Sequence, residues 1–304
     1  MTESLTFDDR VVVITGAGNG IGRAYAHEFA RRGAKVVVND LGGSVDGQGE
    51  DASAADNVVN EIIANNGTAI ANYDSVVDGE RGVKAALDEW GRIDVLLNNA
   101  GIAYATPFAD MTPELWHRMM DVHVTGSYAC TQAAWSYMQA QGYGRLLFTT
   151  SPFGIYAAAT FAHYSAAKAA MIGLAKALAL EGAEHGINAN AVAPFSASRM
   201  TGRTNEEQAT SAFGPRYLAQ LAVWLSHEST SETGGVFEVG GGFVHRVRTE
   251  LSNPLHLPGD EHTAENIAAG ESVLSDFSEA QHPALGDSWT IGREVSGDDW
   301  QGQF

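Results

Sequence analysis

The chain has 304 residues, 44% of them hydrophobic, which is enough apolar material for the core of one large α/β domain or two small ones. Its formal net charge of -19 argues against nucleic acid and anionic membrane surfaces as partners, and no apolar run is long enough to cross a bilayer. Cys130 is the only cysteine and the acidic N-terminus lacks the apolar segment of a secretory signal, so we expect a cytoplasmic protein without an internal disulfide.

The first predicted elements are a strand, a glycine loop and a helix, an order typical of dinucleotide-binding sites. Residues 11–15 (VVVIT) are apolar and β-branched, which predicts a buried parallel strand, and a helical pattern runs from the loop to Gly33. Glycines let the loop backbone approach a pyrophosphate at the N-terminus of the helix. We therefore expect cofactor contacts from six loop residues, namely Gly16, Gly18, Asn19, Gly20, Ile21 and Gly22.

An acidic residue ends the second predicted strand, residues 35–40 (KVVVND). Asp40 lies 18 residues beyond Gly22, where a carboxylate accepts hydrogen bonds from the adenosine ribose hydroxyls and repels a 2′-phosphate. The sequence therefore predicts NAD, and not NADP, as the cofactor. The glycine-rich segment that follows, residues 41–51, has the composition of a mobile surface loop.

The third and fourth predicted strands also end in small or polar residues. They cover residues 68–74 (TAIANYD) and 93–101 (IDVLLNNAG), and each follows a helical pattern. Asp74 is open to two interpretations, an ordinary turn residue or a neighbour of the adenine ring, and we favour the second. With it we assign four more residues to the cofactor site: Ser75, Asn99, Ala100 and Gly101.

The middle of the chain predicts one or two amphipathic helices over residues 111–142, with Thr112 as the N-cap. His123 interrupts the apolar face of this segment, a place where a core histidine is more common than a catalytic one. Residues 143–151 (YGRLLFTTS) predict the fifth strand, and residues 187–194 (INANAVAP) predict the sixth.

Three side chains after the fifth strand suit acid–base chemistry. Ser151 stands at the mouth of the sheet, and Tyr164 and Lys168 are four residues apart on a predicted helix, so they share one face. A free phenol titrates near pH ~10, and a nearby cation lowers that pKa toward neutrality. Ser151 is placed to hydrogen-bond a substrate oxygen. A Tyr and a Lys at this spacing are more often a plain surface pair, so the assignment depends on the rest of the chain.

The last part of the catalytic region predicts a lid, a helix and a strand. Residues 196–213 are polar and loop-like, which suits a lid over the substrate. A helix opened by Pro215 follows, and residues 234–242 (GGVFEVGGG) predict the last strand.

Strands that alternate with helices predict one Rossmann-type, doubly wound parallel sheet with helices on both faces and a C-terminal extension. Ligands of such sheets bind at the carboxyl ends of the strands. The candidate residues all follow strands, and so does Pro194, which we add to the cofactor site. We expect no metal site.

Residues 250–304 form an acidic extension to the catalytic domain, residues 1–249. The extension holds 11 acidic residues against the single Arg293, yet also large apolar residues, and Ile267, Leu274 and Phe277 share one helical face. Pure disorder would leave fewer such residues. We expect the extension to dock on its own domain or on a neighbouring subunit, or else simply to extend the core.

These motifs resemble the short-chain dehydrogenase/reductase family. The resemblance rests on residues 15–22 (TGAGNGIG), 98–101 (NNAG) and 164–168 (YSAAK), with Asp74 and Ser151. Several segments, such as VVVNDLGG, SRMT, WLSHES and GGVFEVGGG, further resemble the (3R)-hydroxyacyl-CoA dehydrogenase part of type 2 peroxisomal multifunctional enzymes.

The resemblance implies an NAD-dependent enzyme that interconverts a secondary alcohol and a ketone. Tyr164 would take the hydroxyl proton, Lys168 would hold the nicotinamide ribose, and Ser151 would orient the reacting oxygen. It also implies a homo-oligomer, either a dimer or a tetramer. Two departures from the broader family stand out. His123 occupies the place of its usual Asn, a change that the type 2 branch shares, and Phe195 follows Pro194 where the family has Gly.

The substrate stays open at this point. A (3R)-hydroxyacyl-CoA in β-oxidation, including one with a steroid-derived acyl group, is the first choice, with Arg199 or Arg203 as candidate contacts for the anionic CoA. A hydroxysteroid and a 3-oxoacyl thioester are the alternatives, and a non-catalytic dinucleotide sensor is the alternative from another class. Phe304 ends no recognisable peroxisomal address, in keeping with the expected cytoplasmic location.

Overall fold

The computed structural model describes residues 4–196 and 211–286, and a single β-sheet lies at its centre. The strands of the sheet are β1 Val11–Thr15, β2 Lys35–Asn39, β3 Thr68–Asn72, β4 Val95–Asn98, β5 Gly144–Thr149, β6 Ile187–Pro194, β7 Val236–Gly240 and β8 Phe243–Val247. In the described part of the chain they lie in the order β3-β2-β1-β4-β5-β6-β7-β8, and all pairings from β3 to β7 are parallel. Successive strands are added toward one edge of the sheet from β1 to β3 and toward the other edge from β4 onward. This switch in strand order opens a crevice at the carboxyl ends of β1 and β4.

Helices cover both faces of this sheet. Those described are α1 Gly20–Arg31, α2 Ser53–Ala64, α3 Gly79–Trp90, α4 Pro113–Met120, α5 Gly126–Gln141, α6 Pro152–Tyr156, α7 Ala162–Glu181, α8 Arg216–Ser226, α9 Ala264–Ala269 and α10 Glu271–Leu274. Because side chains alternate along a strand, Val12 and Ile14 of β1 pack with α1, α2 and α8, and the intervening Val13 faces the other side. The predicted doubly wound parallel sheet is confirmed.

The strands are buried almost throughout, which explains their continuous apolar runs. Every residue of β1 and β5 is buried, as expected of parallel strands covered on both faces. Each fully buried Val, Leu or Phe side chain contributes about 1.5–3 kcal/mol through removal of apolar surface from water. The core therefore holds the strand ends rigidly, and the residues directly after each strand are held in fixed positions as well.

The predicted long helical segment after residue 111 is two helices joined by one wider turn. Thr112 caps α4 by accepting a hydrogen bond from the Leu115 amide at 3.4 Å, which confirms its predicted role. Residues Asp121–Thr125 then form a π-helical turn before α5 begins. Such single π turns are common at functional sites, and this one carries His123.

Two elements near the site differ from the sequence prediction. Helix α6 begins directly after Ser151, whose hydroxyl accepts a hydrogen bond from the Phe153 amide at 3.1 Å. Strand β7 was expected to be the last, but β8 follows it after Gly241 and Gly242. Both glycines have positive φ (54° and 85°), the backbone that a tight two-residue turn between strands requires.

The chain divides into two compact units, residues 1–246 and 247–304. In the second unit, Leu251 and Gln281 form an isolated antiparallel bridge around α9 and α10. The expected single helical face is wrong, because Gly270 separates the two short helices and Phe277 lies beyond the second. The docking of this extension stays a prediction.

Candidate active site

The glycine turn after β1 is built for close backbone approach. Gly16 and Gly20 both have positive φ (65° and 54°), and a methyl group added at Gly16 would lie 2.7 Å from Cα of Ala100. The same addition at Gly22 would collide with the carbonyl oxygen of Gly16. Helix α1 begins at Gly20, so its first amide groups, which have no partner within the helix, face the turn. This arrangement fits a diphosphate group.

Asp40 stands directly after β2 and holds this turn in place. One carboxylate oxygen accepts from the Gly18 amide and the other from the Gly42 amide, each at 2.7 Å. Each oxygen has a second lone pair, so the carboxylate keeps the capacity to accept a hydroxyl of a bound ligand. The side chain is buried, which holds its negative charge at a fixed point on the edge of the crevice.

The ends of β1 and β4 are joined by a small hydrogen-bond network. The hydroxyl of Thr15 accepts from the amides of Asn99 and Ala100, both at 3.0 Å. In return, the Asn99 side chain donates to the carbonyl of Thr15 at 2.9 Å and to that of Gly16 at 3.1 Å. The glycine turn and the small residues after β4 therefore form one rigid wall.

Tyr164 and Lys168 lie on α7, and Lys168 connects that helix to the end of β5. Its ammonium nitrogen donates to the carbonyl oxygen of Thr149 at 2.7 Å, and the hydroxyl of Thr150 donates to its carbonyl oxygen at 2.6 Å. The ammonium lies 5.6 Å from the centre of the Tyr164 ring. Ser151 stands close enough to hydrogen-bond the phenol.

Burial is the largest influence on the pKa values of Tyr164 and Lys168. It raises the pKa of Tyr164, while the hydrogen bond with Ser151 acts in the opposite direction. Burial also lowers the pKa of Lys168 to about 7. The expected lowering of the Tyr164 pKa by Lys168 does not appear among the protein's own groups, because the amine is bonded to Thr149 instead.

One open cleft brings most of the predicted residues together. Its walls include thirteen of them: Gly16, Asn19, Gly20, Ile21, Asp40, Asp74, Ser75, Asn99, Ala100, Gly101, Tyr164, Lys168 and Pro194. Gly18, Gly22 and Ser151 are not among the residues that line this cleft. The two glycines shape the turn, and Ser151 neighbours Tyr164. The catalytic and cofactor roles of all these residues remain predictions.

The sequence interpretation missed the segment of residues 41–51 as part of this cleft. Its base is closed by the Asp51 amide, which donates to the Leu41 carbonyl at 3.0 Å. Five of its residues line the cleft: Leu41, Gly43, Ser44, Val45 and Gly47. The carbonyl of Val45 accepts from the Ala103 amide at 3.0 Å. The segment therefore reaches from the end of β2 to the chain that follows β4. Its composition suggested a surface loop, and only this long-range bond reveals its position.

Asp74 also lines the cleft, held by its neighbours. Its carboxylate accepts from the Asn72 side chain at 2.8 Å and from Arg81 at 3.1 Å. The predicted lid of residues 196–213 falls mostly outside the described residues, as do Arg199 and Arg203. Among the residues that the structure describes, no cluster of His, Cys, Asp or Glu is suited to hold a metal ion.

A family model described as short chain dehydrogenase matches residues 10–209. The chain belongs to the short-chain dehydrogenase family. This confirms the resemblance seen in the sequence and makes the protein an oxidoreductase that acts on CH–OH groups. The family and the Rossmann-type sheet imply a nicotinamide dinucleotide cofactor, and the glycine turn, Asp40 and the α1 terminus fit such a group.

The chain is similar to named short-chain dehydrogenases and to longer enzymes. It is 47% identical to a peroxisomal multifunctional enzyme type 2 of Mus musculus over 93% of this chain and 39% of that protein. It is 45% identical to a peroxisomal hydratase-dehydrogenase-epimerase of Saccharomyces cerevisiae over 93% of this chain and 32% of that protein. The chain thus spans well under half the length of these two relatives.

A solved structure gives a match of similar length. The crystal structure of a short chain dehydrogenase from Mycobacterium avium shares 34% identity and a TM-score of 0.80, covering 92% of this chain and 98% of that one. Within the described residues of this dehydrogenase, no helix is long and apolar enough to cross a membrane.

Proposed function

We propose that this dehydrogenase interconverts a secondary alcohol and a ketone with NAD as the hydride carrier. One observation carries the proposal: Tyr164 and Lys168 line the same cleft as the glycine turn and Asp40. A phenol and an amine that line the same cleft as a glycine turn suit proton transfer beside a hydride acceptor.

Each side chain has a distinct part in this reaction. A bound oxidised nicotinamide supplies the acceptor for the hydride that leaves the carbinol carbon. Tyr164 takes the proton of the hydroxyl group as its phenolate, a form that burial disfavours and the hydrogen bond with Ser151 favours. Ser151 also orients the reacting oxygen. Lys168, anchored on Thr149, is placed to hold a ribose hydroxyl. The product is the ketone, and the reverse sequence reduces it.

The preference for NAD over NADP is supported by the position of Asp40. Its buried carboxylate faces the cleft from the end of β2, next to the glycine turn. A 2′-phosphate at that point would meet a fixed negative charge, whereas ribose hydroxyls would find an acceptor.

For the substrate we propose a (3R)-hydroxyacyl-CoA of β-oxidation, including one with a steroid-derived acyl group. Support comes from the similarity to enzymes named peroxisomal multifunctional enzyme type 2 and hydratase-dehydrogenase-epimerase. A hydroxysteroid or a 3-oxoacyl thioester is the second candidate. The aromatic rings of Phe153 and Phe161, each 6.1 Å from that of Tyr164, would suit the apolar ring system of a hydroxysteroid.

Three further points belong to the proposal. A homodimer or homotetramer is supported by exposed aromatic side chains, Tyr128 and Tyr137, on one stretch of α5.

The extension after residue 246 would dock on its own domain or on a neighbour. A cytoplasmic location is the expectation from the sequence, although relatives carry the name peroxisomal, and cell fractionation would decide between the two.

The decisive experiment measures initial rates of NAD⁺ and NADP⁺ reduction with 3-hydroxyacyl-CoA esters of graded length and both configurations, beside free hydroxysteroids. We expect the highest kcat/KM with NAD⁺ and a (3R)-hydroxyacyl-CoA. Dinucleotide binding without turnover of any secondary alcohol would instead support a non-catalytic sensor. Static light scattering on the same preparation measures the oligomeric state.

A further inference from the structure

The chain that connects Ser151 to Tyr164 contains two residues with a strained backbone. Ala157 has φ 61° and ψ 171°, a combination that glycine adopts readily and alanine does not. Thr160 has φ 65° although its side chain is β-branched. A conformation of this kind persists only where the surrounding contacts hold it in place. The turn between the two proposed catalytic residues must therefore be held by its neighbours.

Helix α6, which precedes this turn, packs closely on α7. A methyl group added at Gly154 would lie 2.7 Å from the carbonyl carbon of Lys168 and 2.8 Å from its Cβ, so glycine permits this approach. The hydroxyl of Ser151 caps the first turn of α6 through the Phe153 amide. The amide of Ala157 closes the last turn by donating to the carbonyl of Phe153 at 3.1 Å. Any shift of this short helix therefore moves Ser151 relative to Lys168.

Tyr156, the last residue of α6, is bound to the outer part of the sheet. Its hydroxyl donates to Oε2 of Glu238 in β7 at 3.1 Å. Glu238 is only 5% exposed, and its other oxygen, Oε1, meets no hydrogen-bond donor in the part of the chain that the structure describes. A buried carboxylate with so few donors is costly unless the remaining bond is made. Glu238 therefore holds the hydroxyl of Tyr156 inward, although Tyr156 as a whole is 65% exposed.

The far end of the turn is bound to the segment that follows β4. The carbonyl oxygen of Thr160 accepts from the Thr106 amide at 2.8 Å, and Thr106 is itself buried. Helix α7 begins at Ala162 and carries Tyr164 in its first turn. The strained turn is thus held at Tyr156 on one side and at Thr160 on the other, with a proposed catalytic residue beyond each of these points.

We propose that Tyr156 and Glu238 are positioning residues that act through α6. Their hydrogen bond holds the strained turn at Ala157, and the turn fixes Ser151 beside Tyr164. The inference rests on the proposed function, because it concerns the geometry of the same site. Without the bond, Ala157 can return to an ordinary backbone conformation, and the end of α6 moves with it. A misplacement of about 1 Å costs as much as 10²-fold in rate.

The first test removes the phenolic hydroxyl of Tyr156. We expect Tyr156→Phe to lower kcat by about tenfold or more, while the dissociation constant for NAD stays within about threefold because the glycine turn is untouched. The midpoint of the pH–rate profile for oxidation should move to higher pH, since Ser151 favours the phenolate less. Wild-type kcat in Tyr156→Phe, or a lowered kcat with an unshifted profile, would overturn the proposal.

Two variants of Glu238 separate positioning from stability. Glu238→Gln keeps an acceptor oxygen for the phenol and should retain kcat within about threefold of the wild type. Tyr156→Phe/Glu238→Leu removes both polar partners, so it should regain the unfolding temperature of the wild type but not its kcat. Recovery of kcat together with the unfolding temperature would show that the bond serves stability alone and would overturn the proposal.

The second test asks whether the bond is needed because of the strain. Glycine adopts the backbone of Ala157 freely, so Ala157→Gly introduced into Tyr156→Phe should restore kcat to within about threefold of the wild type. Ala159→Gly is the matched control, because Ala159 is exposed like Ala157 but does not have positive φ. It should restore nothing. No recovery with either glycine, or equal recovery with both, would contradict the proposal.

The unfolding temperature gives the same comparison without turnover. We expect Tyr156→Phe to lower it, Ala157→Gly to restore part of the loss, and Ala159→Gly to lower it further, since glycine adds entropy to the unfolded chain. Equal effects of the two glycines would count against the proposal. If the wild-type protein binds dinucleotide but turns over no secondary alcohol, the proposed function fails, and these temperatures still decide whether the bond holds the turn.

Discussion

The ammonium group of Lys168 lies 5.6 Å from the centre of the Tyr164 ring and donates its hydrogen bond to the carbonyl oxygen of Thr149, 2.7 Å away. The amine is therefore anchored to the end of β5, and the contact that favours ionisation of the phenol comes from Ser151. Burial outweighs that contact and raises the pKa of Tyr164. Tyr164, Lys168 and Ser151 therefore have different contacts, and we expect a different effect from substitution of each.

Removal of the phenolic oxygen should stop the chemistry and spare the binding site. We expect Tyr164→Phe to lower turnover by about 10²–10⁴-fold, the usual contribution of a positioned acid–base group. The dissociation constant for NAD should stay within about threefold, because the cofactor-lining wall after β4 does not depend on the phenol. Stopped-flow kinetics and fluorescence titration measure the two quantities, and preserved turnover would rule out the assignment.

Ser151 should influence both the pH profile and the stability. Its hydrogen bond lowers the pKa of Tyr164, so Ser151→Ala should shift the midpoint of the pH–rate profile for oxidation to higher pH. The same change removes the cap on the Phe153 amide and should cost about 1 kcal/mol of stability. Ser151→Thr keeps the hydroxyl and is the matched control. An unshifted profile in Ser151→Ala would contradict the predicted contact.

Lys168 should reduce the stability of the free protein in a pH-dependent way. Burial lowers its pKa to about 7, whereas the unfolded chain titrates near ~10.4, so the unfolded state binds more protons between these values. The penalty is complete below pH ~7 and disappears as the pH rises toward ~10. Lys168→Met should therefore be more stable than the wild type at pH 6, by about 1–3 kcal/mol, and inactive.

Urea unfolding at several pH values tests this expectation. The advantage of Lys168→Met should shrink steadily between pH ~7 and ~10. A constant difference over that range would mean that Lys168 titrates normally. Because the variant also loses the bond to Thr149, the trend with pH is the informative quantity, and the absolute difference is not.

The charge on Asp40 should decide between the two dinucleotides. We expect Asp40→Asn to raise the dissociation constant for NAD about tenfold, the value of one charged hydrogen bond, and to lower the discrimination against NADP. Asparagine keeps an acceptor oxygen for only one of the two amides, Gly18 and Gly42, so the turn loosens as well. The ratio of the two dissociation constants isolates the charge effect, and an unchanged ratio would count against it.

Two glycines of the segment 41–51 form a matched pair for testing its contact with the far wall. Both have positive φ, 81° at Gly47 and 76° at Gly49. A methyl group at Gly47 would lie 2.9 Å from Cγ2 of Ile102, whereas one at Gly49 meets nothing within 4 Å. Gly47→Ala should increase the dissociation rate constant of NADH several-fold more than Gly49→Ala, which carries the backbone strain alone. Equal effects would show that the contact with Ile102 is irrelevant.

The sequence predicts most of the sheet and the site because their signals are local. The glycines before α1, the acidic Asp40 after β2 and the four-residue spacing of Tyr164 and Lys168 each lie within one strand–helix unit. The parallel topology alone then places the carboxyl ends of all these strands at the same edge of the sheet, so no long-range signal in the sequence is needed to predict the site. The wall formed by Thr15 and Asn99 follows from the same rule.

The remaining features depend on contacts between distant parts of the chain. The segment 41–51 is positioned by a bond from Val45 to Ala103, and no local pattern encodes it. The pKa of Tyr164 follows from burial, which spacing alone does not reveal. Strand β8 was missed although Gly241–Gly242 is a recognisable turn signal.

The bond between Val45 and Ala103 has a consequence for the timing of each catalytic cycle. If exchange of reduced for oxidised dinucleotide opens this bridge, the opening costs the free energy of one backbone hydrogen bond, about 1 kcal/mol. So small a free-energy cost permits frequent opening, and a closed bridge would favour retention of the dinucleotide by no more than about fivefold.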